Sequence, residues 1–289
     1  MYLIAESGST KCDWMLVDQQ GNYMDLYKTI GFNPFFHNKE FICNELNKEK
    51  GLMHVAPKVT RVYFYGAGCS SDHYTSIVKS ALTVIFPNAE IVVDHDMLSA
   101  AFSTYDGEPC ITSIIGTGSN SCYFDGAAVT EEVPALGYIL GDEGSGSYFG
   151  KKLLTAFLYK KLPANIANDL VKEFNISKAM IFENVYEKPN ANVYLASFTR
   201  FIGKYKEEPF VKEMLIQGMR DFLINHVCCF ENYKELPVHF IGSVAFHFQD
   251  ELVIAAKELD VKMGRIIKQP IKNLVDYHIQ YIFPKVSLC

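Results

Sequence analysis

Residues 110–124 read Cys110-Ile111-Thr112-Ser113-Ile114-Ile115, then Gly116-Thr117-Gly118-Ser119-Asn120-Ser121, then Cys122-Tyr123-Phe124. A β-branched run that breaks at Gly-Thr-Gly-Ser reads as a strand entering a tight turn, because glycine takes φ > 0 freely and lets the backbone come close to a ligand. Such a turn aims several N–H groups at one point, which suits a phosphate. Taken alone, the same pattern also describes an ordinary hairpin.

The arrangement occurs twice. Near the start of the chain Leu3-Ile4-Ala5-Glu6 leads into Ser7-Gly8-Ser9-Thr10, and Cys12-Asp13-Trp14-Met15-Leu16-Val17-Asp18 runs on to a turn at Gly21-Asn22. Gly118 and Ser119 stand where Gly8 and Ser9 stand, Cys122 where Cys12 stands, and the next turn falls at Asp125-Gly126. Each copy is a strand, a glycine turn, a strand, a second turn and a third strand.

The repeat continues past this meander. Residues 59–65 form an apolar, aromatic run ending in Gly66-Ala67-Gly68, and residues 237–241 form another ending in Gly242-Ser243. After the first, Tyr74, Ile77, Val78, Ala81, Leu82 and Ile85 recur at three-and-four spacing, which predicts a helix over 72–86. A strand over 91–93 and a helix over 97–105 follow. After the second come a helix over 248–259, a strand over 265–267, Pro270, and a last helix whose apolar face is Ile271, Leu274, Val275, His278, Ile279 and Ile282. A helix is also expected over 39–50. Both halves therefore read β-β-β-α-β-α-β-α, an α/β pattern whose facing glycine turns suggest a nucleotide held in a cleft between two lobes.

Composition sets the limits. A chain of 289 residues, 49% hydrophobic, is long enough for two lobes with cores of ordinary size. A net charge of -6 argues against a nucleic-acid or anionic-membrane surface, which needs a basic face. ATP is still compatible, since backbone N–H groups and a divalent cation do most of the neutralising. No run approaches the length of a membrane span, and the first residues enter a strand directly with no signal-like segment, so a cytoplasmic protein is expected. The eight cysteines, Cys12, Cys43, Cys69, Cys110, Cys122, Cys228, Cys229 and Cys289, show no C-x-x-C or Cys/His metal spacing and read as reduced thiols.

Three further stretches carry polar groups where ligands bind. Gly31-Phe32-Asn33-Pro34-Phe35-Phe36-His37 reads plainly as a turn that tucks its aromatics into the core, although aromatics beside an amide are also what a sugar site uses. Asp94-His95-Asp96 lies at the C-terminal end of a predicted parallel strand, the end at which open α/β sheets bind ligands. Asp96 serves there either as a functional carboxylate or only as the cap of the following helix, and His95 reads as structural. The glycine-rich stretch 134–147, containing Gly137, Gly141-Asp142-Glu143-Gly144-Ser145 and Gly146, reads as a loop with close backbone contacts. Asp142 or Ser145 is the candidate cap of the helix expected over 148–162. Residues 151–235 are helical in pattern, broken near Pro163, Ser177, Pro189-Asn190 and Pro209, with no counterpart in the first half.

In order and spacing, Glu6-x-Gly8-x-Thr10, Gly116-Thr117-Gly118-Ser119-Asn120, Gly141-Asp142-Glu143-Gly144-Ser145 and Gly242-Ser243-Val244 resemble the N-acetylglucosamine kinases. These belong with the activator ATPases of 2-hydroxyacyl-CoA dehydratases inside the actin and hexokinase ATPase superfamily, and the resemblance covers nearly the whole chain. It implies duplicated ribonuclease H-like lobes, each a mixed five-stranded sheet with helices. The first lobe would be 1–108 and the larger second lobe 109–289, with a helical insertion at about 151–235 and the last helix able to pack back on the first lobe.

By position in those motifs, Ser9, Thr10, Thr117 and Gly118 would hold the β- and γ-phosphates of ATP, and Gly242 and Ser243 would line the adenosine pocket. Glu6 would help to place Mg²⁺ through water. Asn33, Asn120, Gly137 and Asp142 would bind the sugar, and Asp96 would be the general base. Two positions depart from the pattern: Pro270 is followed by Ile271-Lys272-Asn273 where family members often have Gly-Ala, and Leu136 precedes Gly137 where mammalian-type enzymes have tryptophan.

The resemblance implies an ATP- and Mg²⁺-dependent kinase acting on the 6-hydroxyl of an amino sugar such as N-acetylglucosamine. Its partner would be the small sugar alone, with no nucleic acid or membrane, and a homodimer is one assembly open to it. Two other functions stay open. An activator ATPase needs an iron–sulfur cluster, and the adjacent Cys228-Cys229, which point about 100° apart on a helix, read as packing. A non-catalytic nucleotide- or sugar-sensing module is the other.

Overall fold

The computed structural model describes residues 1–286. The chain divides into two compact units, Met1–Tyr105 together with the residues from Gln269 on, and Asp106–Lys268.

In the first unit β1 (Tyr2–Ser7), β2 (Lys11–Val17) and β3 (Tyr23–Ile30) form an antiparallel meander. Two helices, α1 (Lys39–Leu46) and α2 (Lys50–Val55), follow it. Next come β4 (Arg61–Gly66), α3 (Asp72–Ile85), β5 (Glu90–His95) and α4 (Asp96–Thr104). β4 runs parallel to β1 and β5 parallel to β4, so the sheet order is β3-β2-β1-β4-β5. The apolar run Leu3-Ile4-Ala5 makes β1 a central strand covered on both faces, and all three residues are buried. On one face Trp14 meets the rings of Phe32, Phe64 and Phe86, under the buried stripe Val78, Ala81, Leu82 and Ile85 of α3.

The second unit repeats the plan. β6 (Cys110–Ile115), β7 (Ser119–Phe124) and β8 (Val129–Thr130) form the meander. A helical stretch follows, made of α5 (Gly137–Leu140), α6 (Gly146–Leu158), α7 (Ala164–Phe174), α8 (Lys178–Phe182), α9 (Ala191–Ala196), α10 (Thr199–Lys204) and α11 (Pro209–His226). Then β9 (Val238–Ile241), α12 (Ser243–His247), α13 (Gln249–Glu258) and β10 (Met263–Ile267) complete the order β10-β9-β6-β7-β8. Two α/β sheets with the same strand plan are what the repeated meander implies, and the duplicated actin-like fold follows from them.

Gly150 explains how the helical stretch packs. A Cβ there would lie 1.9 Å from the Leu195 carbonyl oxygen, so α6 and α9 come together backbone to backbone. Val211, Leu215, Met219, Phe222 and Leu223 form the buried stripe of α11.

Several expectations need correction. The helix expected over 39–50 ends early: Asn47 closes α1, and Glu49 starts a second helix, α2, by accepting the Gly51 N–H at 3.2 Å. Gly51 lies against the Tyr27 ring, where a Cβ would be 2.8 Å from Cε1, so a residue with no side chain lets α2 approach β3 there. Phe32 is buried as expected of its loop, but Phe35 and Phe36 are exposed. The loop expected over 134–147 contains α5, and Gly242-Ser243 opens the short α12 instead of a bare turn.

A second lobe running to the end of the chain also differs from the observed division. The residues from Gln269 on group with the first unit, because α14 (Ile271–Tyr277) buries Ile271, Leu274 and Val275 against α4, β1 and β2. A π-helical turn at His278–Ile282 leads from α14 into α15 (Phe283–Val286). Among the described residues seven cysteines are free thiols, and Cys289 lies outside them. No helix among the described residues is long and apolar enough to cross a membrane.

Candidate active site

In the first unit the candidate residues gather at the C-terminal ends of the parallel strands. β1 ends in Glu6-Ser7, β4 in Gly66 and β5 in Asp94-His95. The Gly8 N–H donates to the Lys11 carbonyl at 3.0 Å, closing the turn with Ser9 and Thr10 at its tip. The Ser7 hydroxyl accepts the Phe32 N–H at 2.8 Å, and a Cβ on Gly31 would lie 1.9 Å from the Gly8 carbonyl oxygen. The turn is thus pinned from beneath by the stretch that leads to Asn33. The Asn33 side-chain oxygen accepts the Phe35 N–H at 3.0 Å and faces Gly68, at φ +80°, where a Cβ would be 2.3 Å away. Only glycine fits there.

Glu6 lies directly opposite Asp13 in the β1–β2 register. Burial pushes the Glu6 carboxyl up to about 7; Lys11 opposes the shift, while the negative charges of Asp13 and Asp96 add to it. Asp13 is 2% exposed, and its Oδ2 is 2.7 Å from the Lys11 ammonium.

Asp96 opens α4, but the cap is not its own. His95 is the N-cap residue, and its Nδ1 accepts the Leu98 N–H at 3.2 Å. The capping role weighed for Asp96 therefore belongs to His95. Asp94 is tied locally, its Oδ1 accepting the His95 N–H at 2.8 Å. Burial, then Asp96 and Asp94, raise the nearby Cys69 thiol to about 12, which keeps it protonated.

In the second unit the two glycine-rich blocks form one structure. The Gly116 N–H donates to the Gly118 carbonyl at 2.9 Å, while the Gly146 and Ser147 N–H groups donate to the carbonyls of Gly116 and Thr117 at 2.8 and 3.0 Å. Asp142, at φ +61°, accepts the Ser119 N–H at 3.2 Å, and its carboxyl is raised by burial against the lowering effect of its bonds from Ser119 and Ser147. The Ser119 hydroxyl donates to the Glu143 carbonyl at 2.8 Å, and Ser145 caps α6 through the Tyr148 N–H. Of the two caps considered, Ser145 is the one used, which leaves the Asp142 carboxylate beside the turn.

Gly242, at φ +120°, abuts the same turn: a Cβ there would be 2.4 Å from the Ile115 oxygen and 3.3 Å from the Gly116 nitrogen. A cavity of about 730 Å³ opens beside it, lined by Ser243, Thr199, Arg200, Gly203, Lys206 and His247 among others. Thr199 joins cavity to turn, since a Cβ on Gly146 would meet its hydroxyl at 2.9 Å and the Gly116 oxygen at 3.3 Å.

The structure thus brings Thr117, Gly118 and Asp142 together and places Gly242 against Gly116. The Gly137 carbonyl accepts the Gly141 N–H at 2.8 Å, one residue before Asp142. The Asn120 oxygen accepts the Ser121 N–H at 2.8 Å, and no hydrogen bond ties Asn120 to Asp142 among the described residues. Sequence reasoning passed over Lys11 and Asp13, although strand alternation puts both on the Glu6 face. It also passed over Thr199 and Arg200, whose place in the cavity no local pattern announces.

No family model matches the chain, and no curated protein matches it. Among solved structures, a proposed N-acetylglucosamine kinase from Porphyromonas gingivalis is similar over 97% of this chain and 99% of its own, at 37% identity and a TM-score of 0.91. A glucokinase of the ROK family from Streptomyces griseus, solved with glucose and AMPPNP, is similar in fold at 12% identity and a TM-score of 0.54, over 95% of this chain and 97% of its own. Component A of the (R)-2-hydroxyglutaryl-CoA dehydratase of Acidaminococcus fermentans shares the fold at 12% identity and a TM-score of 0.54, over 99% of this chain and 98% of its own. With 37% identity over 97% of its length to the first of these, the chain belongs to the N-acetylglucosamine kinase-like family.

Proposed function

We propose that the protein is an ATP-dependent sugar kinase that transfers the γ-phosphoryl group to the 6-hydroxyl of N-acetylglucosamine. The observation that carries this reading is the union of the Gly116–Ser119 turn with Asp142: a backbone suited to phosphate and a carboxylate suited to sugar hydroxyls are one hydrogen-bonded piece. The N-acetylglucosamine kinase proposed in Porphyromonas gingivalis supports the choice of sugar.

On this reading Ser9, Thr10, Thr117 and Gly118 hold the β- and γ-phosphates, and the cavity beside Gly242 and Ser243 takes the adenosine. Asn33, Asn120, Gly137 and Asp142 hold the sugar. Asp96 accepts the proton of the attacking hydroxyl as its oxygen bonds to the γ-phosphorus and the bond to the ADP oxygen breaks. A loose transition state asks mainly for alignment and for neutralised equatorial oxygens, and the base adds about 10² to 10⁴-fold.

Mg²⁺ fits the residues present. Glu6 stands at the end of β1 opposite Asp13, whose buried Oδ1 has no hydrogen-bond partner. Among the described residues no three His, Cys, Asp or Glu side chains converge as a ligand set, and an ion that keeps most of its waters and takes phosphate oxygens needs none. Glu6 would hold it through water, and when bound the ion offsets charge on the phosphate oxygens.

The test is ADP release by the full chain with ATP, Mg²⁺ and a panel of hexoses and hexosamines, fastest with N-acetylglucosamine. Asp96→Asn should bind ATP and sugar normally and lose most of kcat. Absence of sugar-dependent ADP release across the panel would overturn the kinase reading; near-normal turnover by Asp96→Asn would remove Asp96 as the base.

A further inference from the structure

The exposed rings of the Asn33 loop have no part in the roles assigned above. Phe35 and Phe36 are 54% and 53% exposed, although phenylalanine is among the residues most often buried. The loop holds them there. The Phe35 N–H donates to the Asn33 side-chain oxygen at 3.0 Å, and the Phe36 and His37 N–H groups donate to the Asn33 carbonyl at 3.0 and 2.9 Å. In return the Asn33 N–H donates to His37 Nδ1 at 3.2 Å, and the His37 ring is stacked on Phe41 with centroids 4.3 Å apart. Gly68 forms the floor: a Cβ there would meet Asn33 Oδ1 at 2.3 Å and Phe35 Cδ2 at 2.9 Å, so amide and ring rest on one glycine.

From Phe35 the rings continue as a row along the start of α3. The Phe35 and Tyr74 centroids are 4.1 Å apart, and those of Tyr74 and His73 are 5.1 Å apart. Folding gains little from apolar faces that a fixed loop leaves in water, so the shelf suits a ligand. Its neighbour says which kind. The oxygen of the Asn33 amide is taken by Phe35, and what the amide offers a ligand is its two N–H donors. Rigid aromatic faces beside such donors match a pyranose, which has C–H groups on its faces and hydroxyls round its edge. On the kinase reading Asn33 already holds the hexosamine. A row of three rings leading away from it provides for a second sugar ring.

We propose that Phe35, backed by Tyr74, is a subsite for a second pyranose, so that the substrates include a hexosamine joined to another sugar as well as the free monosaccharide. The inference rests on the kinase reading, with Asn33 at the sugar. The phosphoryl transfer is unchanged; what the shelf adds is affinity for the longer substrate.

The experiment measures sugar-dependent ADP release by the full chain with N-acetylglucosamine and with its β-1,4-linked dimer, on the wild type and on Phe35→Leu and Phe35→Trp. The wild type should turn over the dimer, with a KM below that of the single sugar. Phe35→Leu keeps an apolar group over Gly68 but removes the flat face. It should lower kcat/KM for the dimer, relative to that for the single sugar, by about threefold to tenfold, the range for one aromatic contact. Phe35→Trp should restore most of that ratio, which a merely structural role for the ring would not require. Turnover of the single sugar without turnover of the dimer, or an unchanged ratio in Phe35→Leu, would overturn the inference and leave the kinase reading standing. ADP release with neither sugar would overturn the kinase reading itself and this inference with it.

Discussion

A side chain at Gly118 would crowd Asp142: a Cβ there would lie 3.0 Å from both carboxylate oxygens. The same carboxylate accepts the N–H of Ser119, so turn and carboxylate cannot move independently. Gly118→Ala should therefore displace Asp142 and damage sugar binding as well as ATP binding. We expect kcat/KM to fall by about tenfold or more for each substrate. The double variant with Asp142→Ala should be much less than additive, because both changes disturb one contact. Steady-state kinetics on the four proteins of that cycle give the result, and full additivity would separate the two groups.

Gly150 tests the helical packing apart from the chemistry. Its missing side chain lets α6 approach the Leu195 carbonyl, and backbone cannot yield as a flexible side chain can. Gly150→Ala should cost about 3 kcal/mol or more, beyond the usual overpacking range. In a chain of this size that lowers Tm by roughly 6 °C or more, readable by calorimetry.

What the residues revealed and what they hid follow from distance along the chain. The meanders could be read because each is a local alternation punctuated by glycine turns, and the two copies corroborate one another; the parallel strands that run into Gly66 and into Gly242 follow from the same repetition. The approach of Gly51 to the Tyr27 ring could not, because the two residues lie in elements separated along the chain. The resemblance allowed α14 to join the first unit, but no local pattern announces it, because it depends on packing with α4, β1 and β2, far away in sequence. Within the candidate site, Asp142 and Gly118 each stood out as part of a glycine-rich block, yet their contact spans two separate stretches. Asp13 was hidden for another reason: a lone aspartate inside an apolar strand gives no local signal, and only the register with Glu6 gives it meaning.

The cavity beside Ser243 gives a selective prediction for the nucleotide. Gly203 lines it, and a Cβ there would touch only Phe248 Cε1, at 3.8 Å. Gly203→Leu should fold well, since leucine also favours α10, while its side chain takes up space in the cavity. We expect the KM for ATP to rise about tenfold with the KM for sugar and the Tm nearly unchanged. Equal KM values for ATP in the two proteins would place the adenosine elsewhere.

Glu6 and His278 make opposite demands on pH. Glu6, raised by burial from 4.5 to about 7, binds a proton in the folded chain that the unfolded chain has already lost. Its contribution is fully present below pH 4.5 and is lost as pH rises through 7. His278 is fully buried, its Nε2 is 2.9 Å from the Tyr65 hydroxyl, and its Nδ1 has no hydrogen-bond partner. Burial lowers it from 6.5 to about 3, so its contribution is present above pH 6.5 and is lost as pH falls. Each group alone changes stability by about 1.4 kcal/mol per pH unit where only one state is protonated. Between pH 4.5 and 6.5 the two slopes cancel, so the effect of removing either group shows most clearly there. Glu6→Gln leaves the histidine unopposed, and its Tm should fall more steeply than that of the wild type from pH 6.5 to 4.5. His278→Phe leaves the carboxyl unopposed, and its Tm should instead fall as pH rises over the same range, from a lower starting point because the Tyr65 hydroxyl loses its partner. Calorimetric scans without nucleotide or metal measure both, and parallel Tm profiles for the three proteins would mean that neither group titrates as its burial requires.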